Sequence, residues 1–324
     1  MTDELNETYD VVVIGGGAAG LNGALMLARS RRAVVVLDAG EPRNAPAEGV
    51  HGLLARDGTP PAELLDRGRS EVRHYGGQIV SATVAGVVRD GEGFTVMLAN
   101  GQTLSTRRVL VATGVVDELP DIGGVRERWG RDVIHCPYCH GWEVRDQAIG
   151  ILATDARVMH QALLFRQLTD DVIVFAHTGP ALSADEIELL AARGIEVIAG
   201  EVSALEVDDD RLSAVLMRDG RTIRRDALVI ATRTHARADF LAPLGLAPVE
   251  HPSGFGTYIP ADSFGRTDVP GIWFAGNVAD MSAQVGAAAA AGALAGAQIN
   301  ADLAEEDARR ALAARSDRTS AARV

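Results

Sequence analysis

The chain has 324 residues, enough for two domains, and its 47% hydrophobic content supplies cores built from Ala, Val, Leu and Ile, because aromatic residues make up only 4%. A net charge of −13 argues against nucleic acid or an anionic membrane as partner. No basic segment followed by an apolar run opens the chain, and its longest small-apolar stretch, Val285 to Ala297, is too short and too rich in Gly and Ala to span a bilayer, so a cytoplasmic protein is expected.

Tyr9 to Ile14 is a short apolar run of the kind buried on both faces of a parallel sheet. It leads into Gly15-Gly16-Gly17-Ala18-Ala19-Gly20, an apolar helical segment from Leu21 to Ala28, and a second strand, Ala33 to Leu37, that ends in Asp38. Strand, glycine turn, helix and placed acid together form a dinucleotide-binding fingerprint. Gly15 permits the tight turn, Gly17 lets backbone approach a pyrophosphate, Gly20 allows close helix–strand packing, and Asp38 can accept from a ribose hydroxyl.

An internal repeat follows. Asn100-Gly101 leads to Arg107–Gly114 and Asp219-Gly220 leads to Arg224–Thr232, with equal spacing from Gly101 to Ala112 and from Gly220 to Ala231. Each copy is preceded by hairpin patterning, Val84 to Leu98 around Asp90-Gly91 and Val202 to Met217 around Asp208–Asp210. The expected fold is therefore α/β, with two Rossmann-like domains, each a doubly wound parallel sheet with an antiparallel meander.

In the second copy the nucleotide turn is missing. The strand Gln147 to Leu152 runs into Ala153-Thr154-Asp155-Ala156-Arg157, on which no Gly-x-Gly-x-x-Gly/Ala can be laid. The next strand, Asp171 to Ala176, ends in His177-Thr178-Gly179, without arginines to hold a 2′-phosphate.

The chain's two cysteines sit three apart, in His135-Cys136-Pro137-Tyr138-Cys139-His140-Gly141-Trp142-Glu143. A structural disulfide this short removes little unfolded-chain entropy. Zinc needs four ligands, and six consecutive residues from His135 to His140 rarely wrap a tetrahedral ion, so no metal is expected. The spacing suits thiol–disulfide exchange.

The Gly15–Gly20 turn, Ala112-Thr113-Gly114, the Cys136–Cys139 pair and Gly271-Ile272-Trp273-Phe274-Ala275-Gly276-Asn277 occur in the order found in thioredoxin reductase-like flavoproteins, and the resemblance covers nearly the whole chain. It implies a discontinuous FAD-binding domain of residues 1–118 and 243–324, a central domain of residues 119–242 carrying the cysteine pair, and a homodimer. FAD would be held by Gly15, Gly17, Ala18, Ala19, Gly20, Asp38, Ala112, Thr113, Gly114, Gly276, Asn277, Gln284 and Val285. Gln284-Val285 opens an Ala/Gly-rich helix ending near Ile299, whose N-terminus would face the flavin; Glu305 to Val324 is expected to fray or be disordered.

Two further departures from that pattern stand beside the missing glycine turn. Asn277 replaces the usual Asp, and His140 follows the second cysteine where bacterial thioredoxin reductases have an Asp. The Cys-Pro-Tyr-Cys-His-Gly-Trp-Glu run looks most like the dithiol oxidases that close disulfides in natural products of the holomycin and gliotoxin type, which implies a small-molecule dithiol as substrate and O2 as acceptor. By that resemblance Cys139 lies against the flavin, Cys136 is the outer cysteine, and His140 is the base; His135 is a weaker candidate for the same role. Pro137 and Tyr138 would tune the pair, Trp142 would pack, and His51 to Pro61 would form part of the pocket wall. Two rival readings remain: a disulfide reductase fed by ferredoxin or NADPH, and a flavin redox sensor.

Overall fold

A computed structural model describes residues 5–321 of the chain. It falls into two compact units. The first gathers the residues up to Arg43, Ala62–Val116 and those from His235 onward; the second gathers Asn44–Pro61 and Asp117–Thr234.

In chain order, the first unit begins with β1 (Thr8–Ile14), α1 (Ala18–Arg29) and β2 (Val34–Asp38). It continues with α2 (Pro61–His74), β3 (Gln78–Ser81), β4 (Val84–Asp90), β5 (Gly93–Leu98) and β6 (Thr103–Val111), and the chain leaves through β7 (Val115–Glu118). The second unit holds α3 (Val125–Arg128), β8 (Val133–Ile134), α4 (Pro137–His140), β9 (Ile149–Leu152), α5 (Val158–Phe165), β10 (Val172–Phe175), α6 (Ala184–Ala192) and β11 (Glu196–Ile198). It closes with β12 (Val202–Asp208), β13 (Arg211–Met217), β14 (Thr222–Arg224) and β15 (Ala227–Ile230). The chain returns through β16 (Arg233–Ala236), passes the short β17 (Val249–Glu250), β18 (Thr257–Tyr258) and β19 (Ile272–Phe274), and ends in α7 (Val285–Ala321).

The sheet of the first unit runs β3-β2-β1-β6-β5-β4. β6 is long enough to serve two partners on one side, pairing antiparallel with β5 through Thr103–Thr106 and parallel with β19 through Val109–Val111. Alternation along β1 sends Val11 and Val13 to the face covered by α1 and α7, and Val12 and Ile14 to the face covered by the meander. Val11, Val12 and Val13 are fully buried, each contributing about 1.5–3 kcal/mol of hydrophobic stabilisation. The second unit repeats the plan with a parallel sheet, β11-β10-β9-β15-β8, and a separate meander, β12-β13-β14. The repeat is imperfect at one place. Where β6 is continuous, the second copy breaks at Arg225-Asp226, and Asp226 ties its carboxylate and its amide to Ala148 instead.

Three sequence expectations are corrected. Residues 44–61, assigned with the first domain, group with the second unit, and the return crossing lies at His235 rather than at residue 243. The C-terminal helix does not stop near Ile299, and its charged extension is helical to Ala321. The cause is long-range pairing: Arg108 holds Asp302 and Glu306, each at 2.6 Å, and Asp307 takes Arg32 at 2.7 Å together with Arg107. Charges that look like a solvated tail along the sequence thus pin the helix to β6 and to the chain just before β2. Residues 322–324 of the expected frayed end lie outside the described residues.

Candidate active site

In the first unit the glycine turn is built by close backbone approach. Gly15 has φ +104°, and a Cβ there would stand 2.4 Å from the carbonyl oxygen of Ala112. A Cβ on Gly20 would stand 1.9 Å from the carbonyl oxygen of Gly15. Both glycines are demanded by the fold. Gly17 is different: its φ of −79° suits any residue, and a Cβ would meet nothing within 4 Å. It is the N-cap of α1 and makes no side-chain cap, so with Ala18 it leaves the helix amides open where a dinucleotide's pyrophosphate would bind. Asp38 closes β2 beside the turn, with a Cβ on Gly16 reaching 2.5 Å from its Oδ2, and it takes Arg69 Nη2 at 3.2 Å. The cradle fits a dinucleotide on this open space and on this acid.

The other predicted residues of this unit converge on the same end of the sheet. Thr113 donates its hydroxyl to the Arg237 carbonyl (2.6 Å), and the Gly114 carbonyl accepts from the Arg237 amide. Gly276 (φ +77°) sits against Ala19, a Cβ there approaching the Ala19 Cβ to 2.9 Å and the Ala288 Cβ to 3.7 Å, so the turn, the segment after β19 and the start of α7 meet. Asn277 Nδ2 donates to the carbonyls of Asp280 (3.0 Å), Met281 (3.3 Å) and Ala283 (2.9 Å). A carboxylate could make none of these bonds, which gives the Asn a structural reason and leaves Oδ1 as the acceptor it can offer a ligand. Gln284 is exposed, and its carbonyl receives the Ala288 amide in the first turn of the helix that Val285 opens.

In the second unit Cys136 and Cys139 form a disulfide with Cα atoms 5.3 Å apart. The local chain dictates this. Cys136 is the extended N-cap of α4, Pro137 fixes the first helical position, and the amides of Cys139 and His140 both turn back to the Cys136 carbonyl. A Cβ on Gly141 would strike the Pro137 carbonyl at 2.2 Å, so the short helix ends there by close packing. Both cysteines are half-buried.

His140 follows directly. Both its ring nitrogens are shielded from solvent and make no hydrogen bond. Burial holds its pKa below the ordinary histidine value; Glu143 opposes that shift, and His51 adds to it. A buried imidazole with no partner is costly to keep, about 1–3 kcal/mol, and marks a group with a task. His135 lies elsewhere: its ring stacks on Trp129 at 5.5 Å and its carbonyl accepts from Gln161. Trp142, expected to pack, is two-thirds exposed with the Arg145 guanidinium 4.2 Å over its ring.

Sequence reasoning placed His51 and Asp57 in the expected pocket wall, His51 to Pro61, without giving either a role, and it missed Glu143. His51 lies between two carboxylates, Nδ1 3.4 Å from Asp57 and Nε2 3.5 Å from Glu143.

The loop after β9, where a second nucleotide would rest, is filled by its own side chains. Arg157 pairs with Asp155 and donates to the Thr232 carbonyl at 2.9 Å, while Thr154 donates to the Ala231 carbonyl at 2.9 Å. His177, at the end of β10, accepts the Val202 amide at 3.0 Å. Among the described residues no helix is long and apolar enough to cross a membrane, and no group of three His, Cys, Asp or Glu is placed to hold a metal ion.

Comparison with known proteins agrees with this geometry. The solved structure of HlmI is 45% identical, covers 98% of this chain and all of that one, and superposes with a TM-score of 0.91. An oxidoreductase from Agrobacterium tumefaciens is 34% identical over 91% of this chain and 98% of its own, with a TM-score of 0.86. Thioredoxin reductase sirT from Leptosphaeria maculans is 31% identical over 90% of this chain and 93% of its own. Residues 9–293 match the pyridine nucleotide-disulphide oxidoreductase family, and this chain, an oxidoreductase with a thioredoxin reductase-like fold, belongs to it.

Proposed function

We propose that the protein is an FAD-dependent dithiol oxidase that closes an intramolecular disulfide in a small-molecule dithiol, with dioxygen as final acceptor. One observation carries the reading: a closed Cys136–Cys139 pair stands next to a half-buried His140 whose enclosed ring nitrogens make no hydrogen bond, in a unit whose nucleotide loop is occupied by Asp155 and Arg157.

A substrate thiol with a pKa near 8.5 is only about 3% ionised at pH 7, and the thiolate is the nucleophile. His140, kept neutral by burial, takes that proton. The thiolate attacks Cys136 Sγ; the Cys136–Cys139 bond breaks, Cys139 leaves as thiolate, and a mixed disulfide forms. The second substrate thiol, ionised in turn, attacks the substrate sulfur of that bond, the cyclic disulfide departs, and Cys136 is left reduced. FAD would be held by Gly15, Gly17, Ala18, Ala19, Gly20 and Asp38 at its pyrophosphate and ribose and by Gly276, Asn277 and the start of α7 at its other end, and when bound it would supply the two-electron acceptor for the reduced cysteines and the route of that pair to dioxygen. The sum is dithiol plus O2 giving disulfide plus hydrogen peroxide.

The sirT relative is named a thioredoxin reductase, which favours a reductase as the second reading. Anaerobic mixing separates the two. Bleaching of the oxidised-flavin band by dithiothreitol, with peroxide formed on admitting air, supports the oxidase. Bleaching by NADPH followed by reduction of a protein disulfide overturns it.

A further inference from the structure

Gln161 is the polar member of the buried face of α5. That face is Val158, Gln161, Ala162 and Phe165, the stripe of a core-facing helix, and Gln161 is 7% exposed. Its amide makes a single bond: Nε2 donates to the His135 carbonyl at 3.2 Å, while Oε1 is enclosed without a partner. The reversed amide would set two acceptors face to face, so the carbonyl fixes its orientation. An enclosed acceptor left empty costs more than one neutral hydrogen bond returns. An apolar side chain would therefore serve the fold at least as well, and the reason for the glutamine lies in what the His135 carbonyl holds.

We propose that Gln161 is a positioning residue of the redox pair: by fixing the peptide plane ahead of Cys136 it sets where that sulfur stands, and so the balance between the closed and the open pair. Cys136 lies between two planar peptide groups. The one after it is held at its carbonyl, which accepts the amides of Cys139 and His140, each at 3.2 Å. The one before it is held by Gln161 at the His135 carbonyl. Around that bond the His135 ring stacks on Trp129, and Val133 and Ile134 are paired to β15.

With both planes pinned, the Cys136 backbone is set at φ −112° and ψ 119°, and the direction of its Cα–Cβ bond is set with it. Freeing the first plane lets Cys136 swing away from Cys139. The closed pair then loses its preorganisation, and the equilibrium moves toward two thiols. The inference rests on the proposed function only in taking Cys136 as the sulfur that substrate attacks; the equilibrium of the pair itself is the same for any substrate.

The test is made on full-length, FAD-loaded protein, equilibrated without oxygen in buffers of reduced and oxidised glutathione. Thiols are counted by alkylation and mass spectrometry, and the flavin is read by absorbance in the same samples. Gln161→Met keeps the length of the side chain and removes both polar atoms, with Gln161→Leu as a second variant of the same kind. Gln161→Glu, when protonated, can still donate to the His135 carbonyl. The expected result is a pair reduced about tenfold more readily in Gln161→Met and Gln161→Leu, about 30 mV for a two-electron couple, with a Tm no lower than wild type. At pH 6 Gln161→Glu should stay within about threefold of wild type. A ratio of thiols to disulfide within about twofold of wild type in the apolar variants, whatever their Tm, makes Gln161 a brace of the fold and overturns the proposal. A shift in Gln161→Glu at pH 6 as large as theirs also overturns it, because donation to the carbonyl would then not be the cause. Should dithiothreitol fail to bleach the wild-type flavin, the oxidase reading falls, while the thiol count still decides the role of Gln161.

Discussion

The Arg157 guanidinium faces the Asp155 carboxylate with Nε 3.0 Å from each oxygen, at the entry to α5. In a dinucleotide site this is where backbone amides meet phosphate, and the first unit keeps that position open above Gly17. Here a carboxylate repels phosphate and the arginine that could attract it is already paired, with a second bond to Thr232. NADPH is therefore expected to leave the flavin band unchanged over minutes under anaerobic conditions while dithiothreitol bleaches it. Rapid bleaching by NADPH refutes this.

The glycines of the first turn separate fold from binding. Gly20→Ala places a methyl 1.9 Å from the Gly15 carbonyl oxygen, a backbone clash with an expected cost of roughly 1–3 kcal/mol and a lowered apoprotein Tm. Gly17→Ala meets nothing within 4 Å and has an ordinary φ, so apoprotein stability should stay within about 0.5 kcal/mol of wild type. FAD affinity should nevertheless fall, because the methyl occupies space the cofactor needs. Equal loss of apoprotein stability in both variants would show that the open space has no such role.

Asn277→Asp tests the second departure from the thioredoxin reductase pattern. The carboxylate loses the two N–H donors that the carbonyls of Asp280, Met281 and Ala283 share, and turns an acceptor toward carbonyl oxygens. A cost of about 1–3 kcal/mol follows, read as a lower Tm and faster FAD loss on dilution. An unchanged Tm would mean the loop before α7 is held by other groups.

Sequence pattern made the local features legible. Strand, glycine turn and helix are consecutive from Thr8 to Arg29, and the cysteine pair lies within one helical turn, so each is written in adjacent residues. What escaped was set by contacts distant in sequence. α7 continues past Ile299 because Arg32, Arg107 and Arg108 face Asp302, Glu306 and Asp307 across the fold. Residues 44–61 join the second unit, and His51 meets Glu143 there; no periodicity links positions 51 and 143. The exposed Trp142 defied an average preference for burial because Arg145 covers its ring.

The ion pairs on α7 carry a stability prediction. Glu306 is buried, and Arg108 holds it at 2.6 Å. Glu306→Ala leaves the buried Arg108 guanidinium with Asp302 as its one remaining ion pair, beside the Arg107 carbonyl, an expected loss of about 3 kcal/mol. Thermal unfolding of the apoprotein checks this. A Tm within a degree of wild type would assign the helix extension to propensity instead of pairing.

The pH response of His140 follows from its burial, which outweighs the opposing pull of Glu143 and lowers its pKa. Its neutral, proton-accepting form therefore persists as pH falls through the usual histidine range, so dithiol bleaching should decline only below about pH 6.5. Stability moves with the same group. Between the folded and unfolded pKa values the unfolded state binds more protons, so stability falls as pH drops below about 6.5 and levels off beneath the folded pKa. His177 is likewise lowered by burial and adds a loss of the same sign. His140→Gln leaves His177 in place, so the smaller Tm drop it should show between pH 7 and pH 5 isolates His140. The same variant should bleach roughly a hundredfold more slowly with dithiothreitol at pH 7. An acid-side Tm loss equal to wild type would mean that His140 is solvated in solution, and its burial could then no longer explain why it stands ready as a base.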